Sequence, residues 1–153
     1  MANPNEWGPL FWKIIHTTSV SVGKQELLIL QQDEINALKS FIKQIPLLLP
    51  CKTCTKHYIE YEKTHKIDYN YANVSSSMSS YFWNLHSEIN STNGKTSVPL
   101  SELVNIYNKR NITNLIKEFD LLFKKYILQR TVKPDVYRSF LKSLNRLYAT
   151  IGI

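Results

Sequence analysis

The chain has two cysteines, and they stand three residues apart in Pro50-Cys51-Lys52-Thr53-Cys54. That spacing limits what the surrounding segment can be. Sulfurs at i and i+3 meet across one helical turn, and the residues that follow, Thr55-Lys56-His57-Tyr58-Ile59-Glu60-Tyr61, read as helix. A proline just ahead of a helix start loses nothing by its missing N–H. The pair is therefore expected in the first turn of a helix running from Cys51 to about Thr64. There the free N–H groups and the helix dipole favour a thiolate. A reactive dithiol fits this better than a structural staple. Cys51, nearer the helix start, is expected to be the more exposed sulfur, with Cys54 one turn deeper. A zinc half-site is the competing reading. It would need a second Cys-x-x-Cys, which is absent, and Cys51, Cys54 and His57 make an incomplete set, so no metal is expected. Two inert buried thiols fit poorly beside Lys52 and Lys56.

Glycine is scarce, with four in 153 residues, and long stretches carry no breaker, which favours an all-α chain of one domain's size. No run of about 18 apolar residues predicts a membrane span. The first residues, Met1-Ala2-Asn3-Pro4-Asn5-Glu6, lack a basic segment and an apolar segment of the secretory kind, so secretion is not expected.

Apolar periodicity predicts a first helix from Trp7 to about Val22, closed by Gly23, and a second from Gln31 to about Leu48 with Ile35, Leu38, Phe41, Ile42 and Ile45 as its stripe. Trp12 and His16 share a face of the first. A polar loop over 66–73 leads to Ser75-Ser76-Ser77, a candidate cap for the next helix. That helix carries Trp83, His86 and Asn90 at i, i+3 and i+7, pointing one way. An aromatic, an imidazole and an amide on a packed face need partners, and a flat ligand with a polar edge would supply them. Asn93-Gly94-Lys95 breaks this helix, and a short one ends near Tyr107. Two more amphipathic helices, 113–129 and 135–150, are separated by Pro134, the second striped with Val136, Phe140, Leu144, Leu147 and Ile151.

In order, the motifs are Trp7-Gly8 with Trp12 and His16, then Cys51 and Cys54, then His86 and Asn90 with Gly94-Lys95 behind. Over about residues 7–107 this resembles the Erv/ALR family of FAD-linked sulfhydryl oxidases, and in its sparseness the members encoded by large DNA viruses. The resemblance implies a four-helix-bundle-type domain that holds FAD beside the dithiol. Such a domain makes disulfides, passes electrons to oxygen and yields hydrogen peroxide. It implies Gly8, Trp12 and His16 on the first flavin-contacting helix and Cys51 and Cys54 as the redox pair, with Cys54 facing the flavin. Tyr58, Trp83, His86, Asn90, Lys95 and Tyr107 are implied around the cofactor. Ser87 stands where the family motif has an asparagine. The shuttle dithiol and structural disulfide of many relatives are absent, so a thioredoxin-like or other dithiol protein is expected to reach Cys51 directly. A homodimer is implied, and the compartment would be host cytoplasm or virion for a viral protein, or the mitochondrial intermembrane space for a cellular one.

Beyond the resemblance lies a tail, residues 111–153, expected as a basic helical extension of a 1–110 domain. From 110 onward there are nine Lys/Arg against three Asp/Glu, so most of the net charge of +7 lies there. The charged set is Arg110, Lys117, Lys124, Lys125, Arg130, Lys133, Arg138, Lys142 and Arg146. The apolar stripes are expected to be buried, on the chain's own bundle or on a second subunit, and the basic face to meet an acidic substrate protein. A basic nucleic-acid-binding module is the alternative, but no binding motif accompanies the charge, so nucleic acid is not expected as a partner.

Overall fold

A computed structural model describes residues 2–107 and 112–152. Arg110 and the expected boundary after residue 110 lie outside the described residues. The elements are α1 (Pro4–Ser21), α2 (Leu28–Leu48), α3 (Lys52–Thr64), α4 (Val74–Thr92), a 3-10 turn (Leu100–Glu102), α5 (Leu103–Ile106), α6 (Ile112–Leu128) and α7 (Pro134–Ile151). Among the described residues there is no strand, and no helix is long and apolar enough to cross a membrane.

Helix α1 begins where Asn3 Oδ1 accepts the Asn5 N–H at 3.0 Å, with Pro4 in the first turn. It ends at Ser21 with Val22 as an extended cap, and the next residue, Gly23, turns the chain with a φ of +82° that suits glycine. The Gly23 N–H donates to buried Glu34 of α2 at 2.7 Å, which fixes the hairpin between the two helices. Helix α1 lies between α4 and α6, so it is enclosed on most sides. Its last turns are Thr17, Thr18, Ser19 and Ser21, all buried. Short side chains let neighbours approach, and their hydroxyls are satisfied locally: Thr18 donates to the Ile14 carbonyl, Ser19 to Ile15 and Ser21 to Thr17.

Helix α2 starts three residues earlier than the periodicity suggests, because Leu28, Ile29 and Leu30 belong to its first turn but stay largely exposed. Helix α4 starts at Val74, so the serines do not cap it. They lie in the first turn, where Ser75 donates to the Ser19 carbonyl of α1 at 2.8 Å and Ser77 accepts the Asp68 N–H. Pro134 is the first residue of α7 rather than a spacer before it.

The tail helices pack on the chain's own bundle. α7 lies along α2 and α6 along α1. Phe140 meets Phe41 of α2 and Phe119 of α6. The Tyr148 hydroxyl lies 2.8 Å from Thr18 Oγ1, Ser143 Oγ lies 3.2 Å from Ser40 Oγ, and Gln25 donates to the Thr150 carbonyl. The outer faces carry exposed Lys117, Lys133, Arg138, Lys142 and Arg146, while Lys124 pairs with Asp120 and Lys125 with Glu6. One continuous apolar core runs through both the first four helices and the tail.

Candidate active site

The last turn of α2 feeds through Leu49 and Pro50 straight into Cys51. Cys51 is the N-cap of α3 rather than its first helical residue. Its backbone is extended, and its sulfur turns back to accept the Cys54 N–H at 3.3 Å, with the Thr53 hydroxyl 3.2 Å away. Cys51 and Cys54 are joined as a disulfide. This reverses the expected exposures. Cys51 is only 4% exposed because its side chain folds under the first turn, whereas Cys54, inside the helix, is half-buried and opens on a cavity.

That cavity measures about 880 Å³ and lies between α1, α3, α4 and the segment after α4. This is within the range of sites that take a cofactor-sized ligand. The sequence-derived residues Gly8, Trp12, Cys54, Tyr58, His86, Asn90, Lys95 and Tyr107 all line it. His86 stacks on Trp12 with ring centres 4.1 Å apart and planes 6° apart, which makes a flat wall. His16 lies behind that wall, with Nε2 3.1 Å from His86 Nδ1 and its ring beside Tyr107 at 4.8 Å. Lys95 is brought to the rim by the turn at Gly94, whose φ of +68° allows the Lys95 N–H to reach the Asn90 carbonyl at 2.7 Å.

Besides Cys51 and His16, which lie behind the lining, two more expected site residues are off it. Trp83 does not line the cavity. Its indole N–H donates to the Val98 carbonyl at 2.7 Å and pins the segment that follows α4. It shares a face with Asn90 but sits about two turns along the axis. Ser87 is off the lining too, although its hydroxyl is buried. The sequence reading left out Thr53, Leu49, Ile89, Asn93 and His57, which do line the cavity. His57 was placeable from its spacing alone, three residues after Cys54 on one helix face. The zinc reading fits poorly here, since the two sulfurs are bonded to each other and His57 Nε2 lies 3.5 Å from Glu88 Oε2.

The electrostatics suit a ligand of mixed polarity. Burial depresses His16 to about 3, helped by the neighbouring His86. Burial also brings His86 to about 4, with the Lys95 charge adding to it. Both rings are therefore neutral at physiological pH. The unfolded chain takes up these protons near 6.5 while the folded chain resists them. Stability of the flavin-free protein should accordingly be complete above about 6.5 and decline as pH falls toward 4. A melting temperature unchanged between about pH 7 and pH 5 would mean that the folded state admits the charge.

Three observations test the fit to a flavin dinucleotide. Gly8 is buried on the cavity wall, and a Cβ built there meets nothing within 4 Å, so the space before it is open to a ligand. His16 Nδ1 and Trp7 Nε1 are buried with no hydrogen-bond partner among the described residues. The flat Trp12–His86 wall and the sulfur of Cys54 bound the same space. A planar ring system with polar edges would fit the open space at Gly8, the Trp7 indole N–H and the flat wall, with Lys95 on the lining available to a phosphate.

Comparison with known proteins gives the same direction. The family model described as Erv1 / Alr family matches residues 9–110. "Putative FAD-linked sulfhydryl oxidase 347L" of Invertebrate iridescent virus 6 is 33% identical over 103 residues, which span 65% of this chain and 89% of that protein. "Putative FAD-linked sulfhydryl oxidase 096R" of Invertebrate iridescent virus 3 is 27% identical over 88 residues, 58% of this chain and 56% of that one. No solved structure matches.

Proposed function

The chain belongs to the Erv1/Alr family, and from that premise we propose that it is a FAD-dependent sulfhydryl oxidase that forms disulfides in substrate proteins. The observation that carries the reading is the position of Cys54, half of a disulfide-forming pair, on the wall of the cavity that Trp12 and His86 flatten. When bound, FAD accepts an electron pair and hands it to oxygen, giving hydrogen peroxide.

The chain's own residues do the rest. Trp12, His86 and Tyr107 hold a ring in one plane, with His16 buttressing His86 from behind. Gly8 leaves room, Asn90 offers a polar side chain, and Lys95 offers charge to a phosphate. Leu49, Tyr58 and Ile89 exclude water from the sulfur side. Burial pushes the Tyr58 hydroxyl well above the usual phenol range, so it stays protonated. Cys54 faces the cofactor space, which leaves Cys51 for exchange with substrate.

The reading extends to a homodimer and to a dithiol protein of the thioredoxin type as electron donor, in host cytoplasm or virion. A yellow preparation with a flavin absorbance band, consuming oxygen with such a donor and slowed by salt, is the expected result. A colourless protein that takes up no FAD would overturn the proposal.

His86→Ala and Asn90→Ala should each lower FAD occupancy and melting temperature together, because a ligand that binds only the native state stabilises it by mass action. At ligand a hundredfold above its dissociation constant that contribution is about 2.7 kcal/mol. Both variants purifying fully loaded with unchanged melting would place the cofactor elsewhere.

A further inference from the structure

Three imidazoles lie in or behind the cavity wall; His16 is buried and His86 half-buried, and both are neutral. Neither is suited to carrying a proton at physiological pH. His57 has a different setting. It stands one turn beyond Cys54 on α3, lines the same cavity, is 42% exposed, and has Nε2 3.5 Å from Glu88 Oε2 on α4. Lys56 and Glu60 neighbour it on its own helix. His86 and Glu88 come from α4, Lys13 from α1, and Lys95 from the segment after α4. Among the described residues Glu88 is the one carboxylate within ion-pair distance of it. A carboxylate beside one ring nitrogen orients an imidazole.

We propose that His57, oriented by Glu88, is the proton carrier for Cys54. This rests on the oxidase reading and deepens it. A substrate thiolate bonds to the Cys51 sulfur, and Cys54 leaves as a thiolate. The second substrate thiolate then displaces Cys51, so the substrate departs as a disulfide and the pair keeps its two electrons. Of the two substrate protons, one ends on Cys51 and the other on His57. The imidazolium, held by Glu88, faces the Cys54 thiolate and stabilises it. When the pair closes again, its two electrons pass to the flavin, and the protons of Cys51 and His57 follow them.

The test uses the full chain, reduced and kept without oxygen. Alkylation of Cys54 by iodoacetamide is followed by mass spectrometry from about pH 5 to pH 9, in parallel with flavin content and melting temperature. In the parent protein the rate should rise at a pH below the ordinary thiol value of about 8.5. His57→Asn should move that inflection up by about one unit, a roughly tenfold slower reaction at neutral pH. Glu88→Gln should move it the same way by less. Flavin content should hold in both. If His57→Asn does not fold, the Glu88→Gln curve decides. Curves that coincide with the parent's overturn the proton role even in an active oxidase. A shifted curve in a protein that binds no flavin would instead keep the thiol–imidazole pair and remove the oxidase reading.

Discussion

Removal of residues 111–153 is expected to yield a chain that aggregates or changes its oligomeric state. The reason is where the tail packs. Helix α7 packs along α2, where Phe140 meets Phe41, and Ala37, Leu38, Phe41 and Ile45 of α2 are each essentially inaccessible in the full chain. Helix α6 covers α1 with Phe119, Phe123 and Tyr126. Without them a continuous apolar face several side chains long meets water, and a patch of that kind drives association. A single position gives the scale. Phe140 is 1% exposed between Phe41 and Phe119, and Phe140→Ala should cost about 3–5 kcal/mol, a large share of the roughly 5–15 kcal/mol that a domain has. Light scattering on the purified truncation, beside thermal melts of Phe140→Ala, checks both. A soluble, fully active truncation with the parent's oligomeric state would show that α1–α5 suffice without the tail.

Cys54→Ala is expected to stay yellow and to stop turning over. With one sulfur gone, the pair can neither close nor hold two electrons, so oxygen uptake with a dithiol donor should fall by at least about a thousandfold, the scale on which an enzyme loses its nucleophile. The flavin should remain, since Trp12, His86, Asn90 and Lys95 supply the rest of the wall. Anaerobic addition of dithiol separates the outcomes, because bleaching of the flavin band reports transfer directly. Normal oxygen uptake by this variant would take Cys54 out of the reaction.

Much of the frame was legible in the chain itself. Apolar residues at helical spacing place every long helix to within a few residues, and Gly23 marks the end of the first because only a left-handed backbone turns there. His86 and Asn90, four apart, were readable as one face because helix geometry leaves them no other arrangement. What was not legible depends on tertiary packing. A stripe such as Phe140, Leu144 and Leu147 demands a partner without naming it, so the choice of α2 could not be read from it. The exposures of Cys51 and Cys54 were reversed because the N-cap residue leaves the helical path, and a one-residue difference in helix start decides which sulfur is covered. Trp83 has the right face but the wrong height, and the acceptor that holds it, Val98, is fifteen residues away across a turn. The spacing after Cys54 puts His57 on the dithiol's helix face, but its partner Glu88 belongs to another helix and is not legible from that spacing.

Cys51 is only 4% exposed, and under the proposed function that cover would bear on which reductants reach it. If exchange takes place at Cys51, an attacking thiolate would react only with molecules in which that sulfur is uncovered, and the exchange rate would be the intrinsic rate scaled by that fraction. A state populated about one time in a hundred slows free small thiols about a hundredfold, since they contribute nothing to the displacement. A folded donor that gains contacts as the turn moves offsets the same handicap with its own binding energy. On that reading, selectivity for macromolecular dithiols over the abundant small ones would reside in a conformational equilibrium, independent of the reactivity of either sulfur.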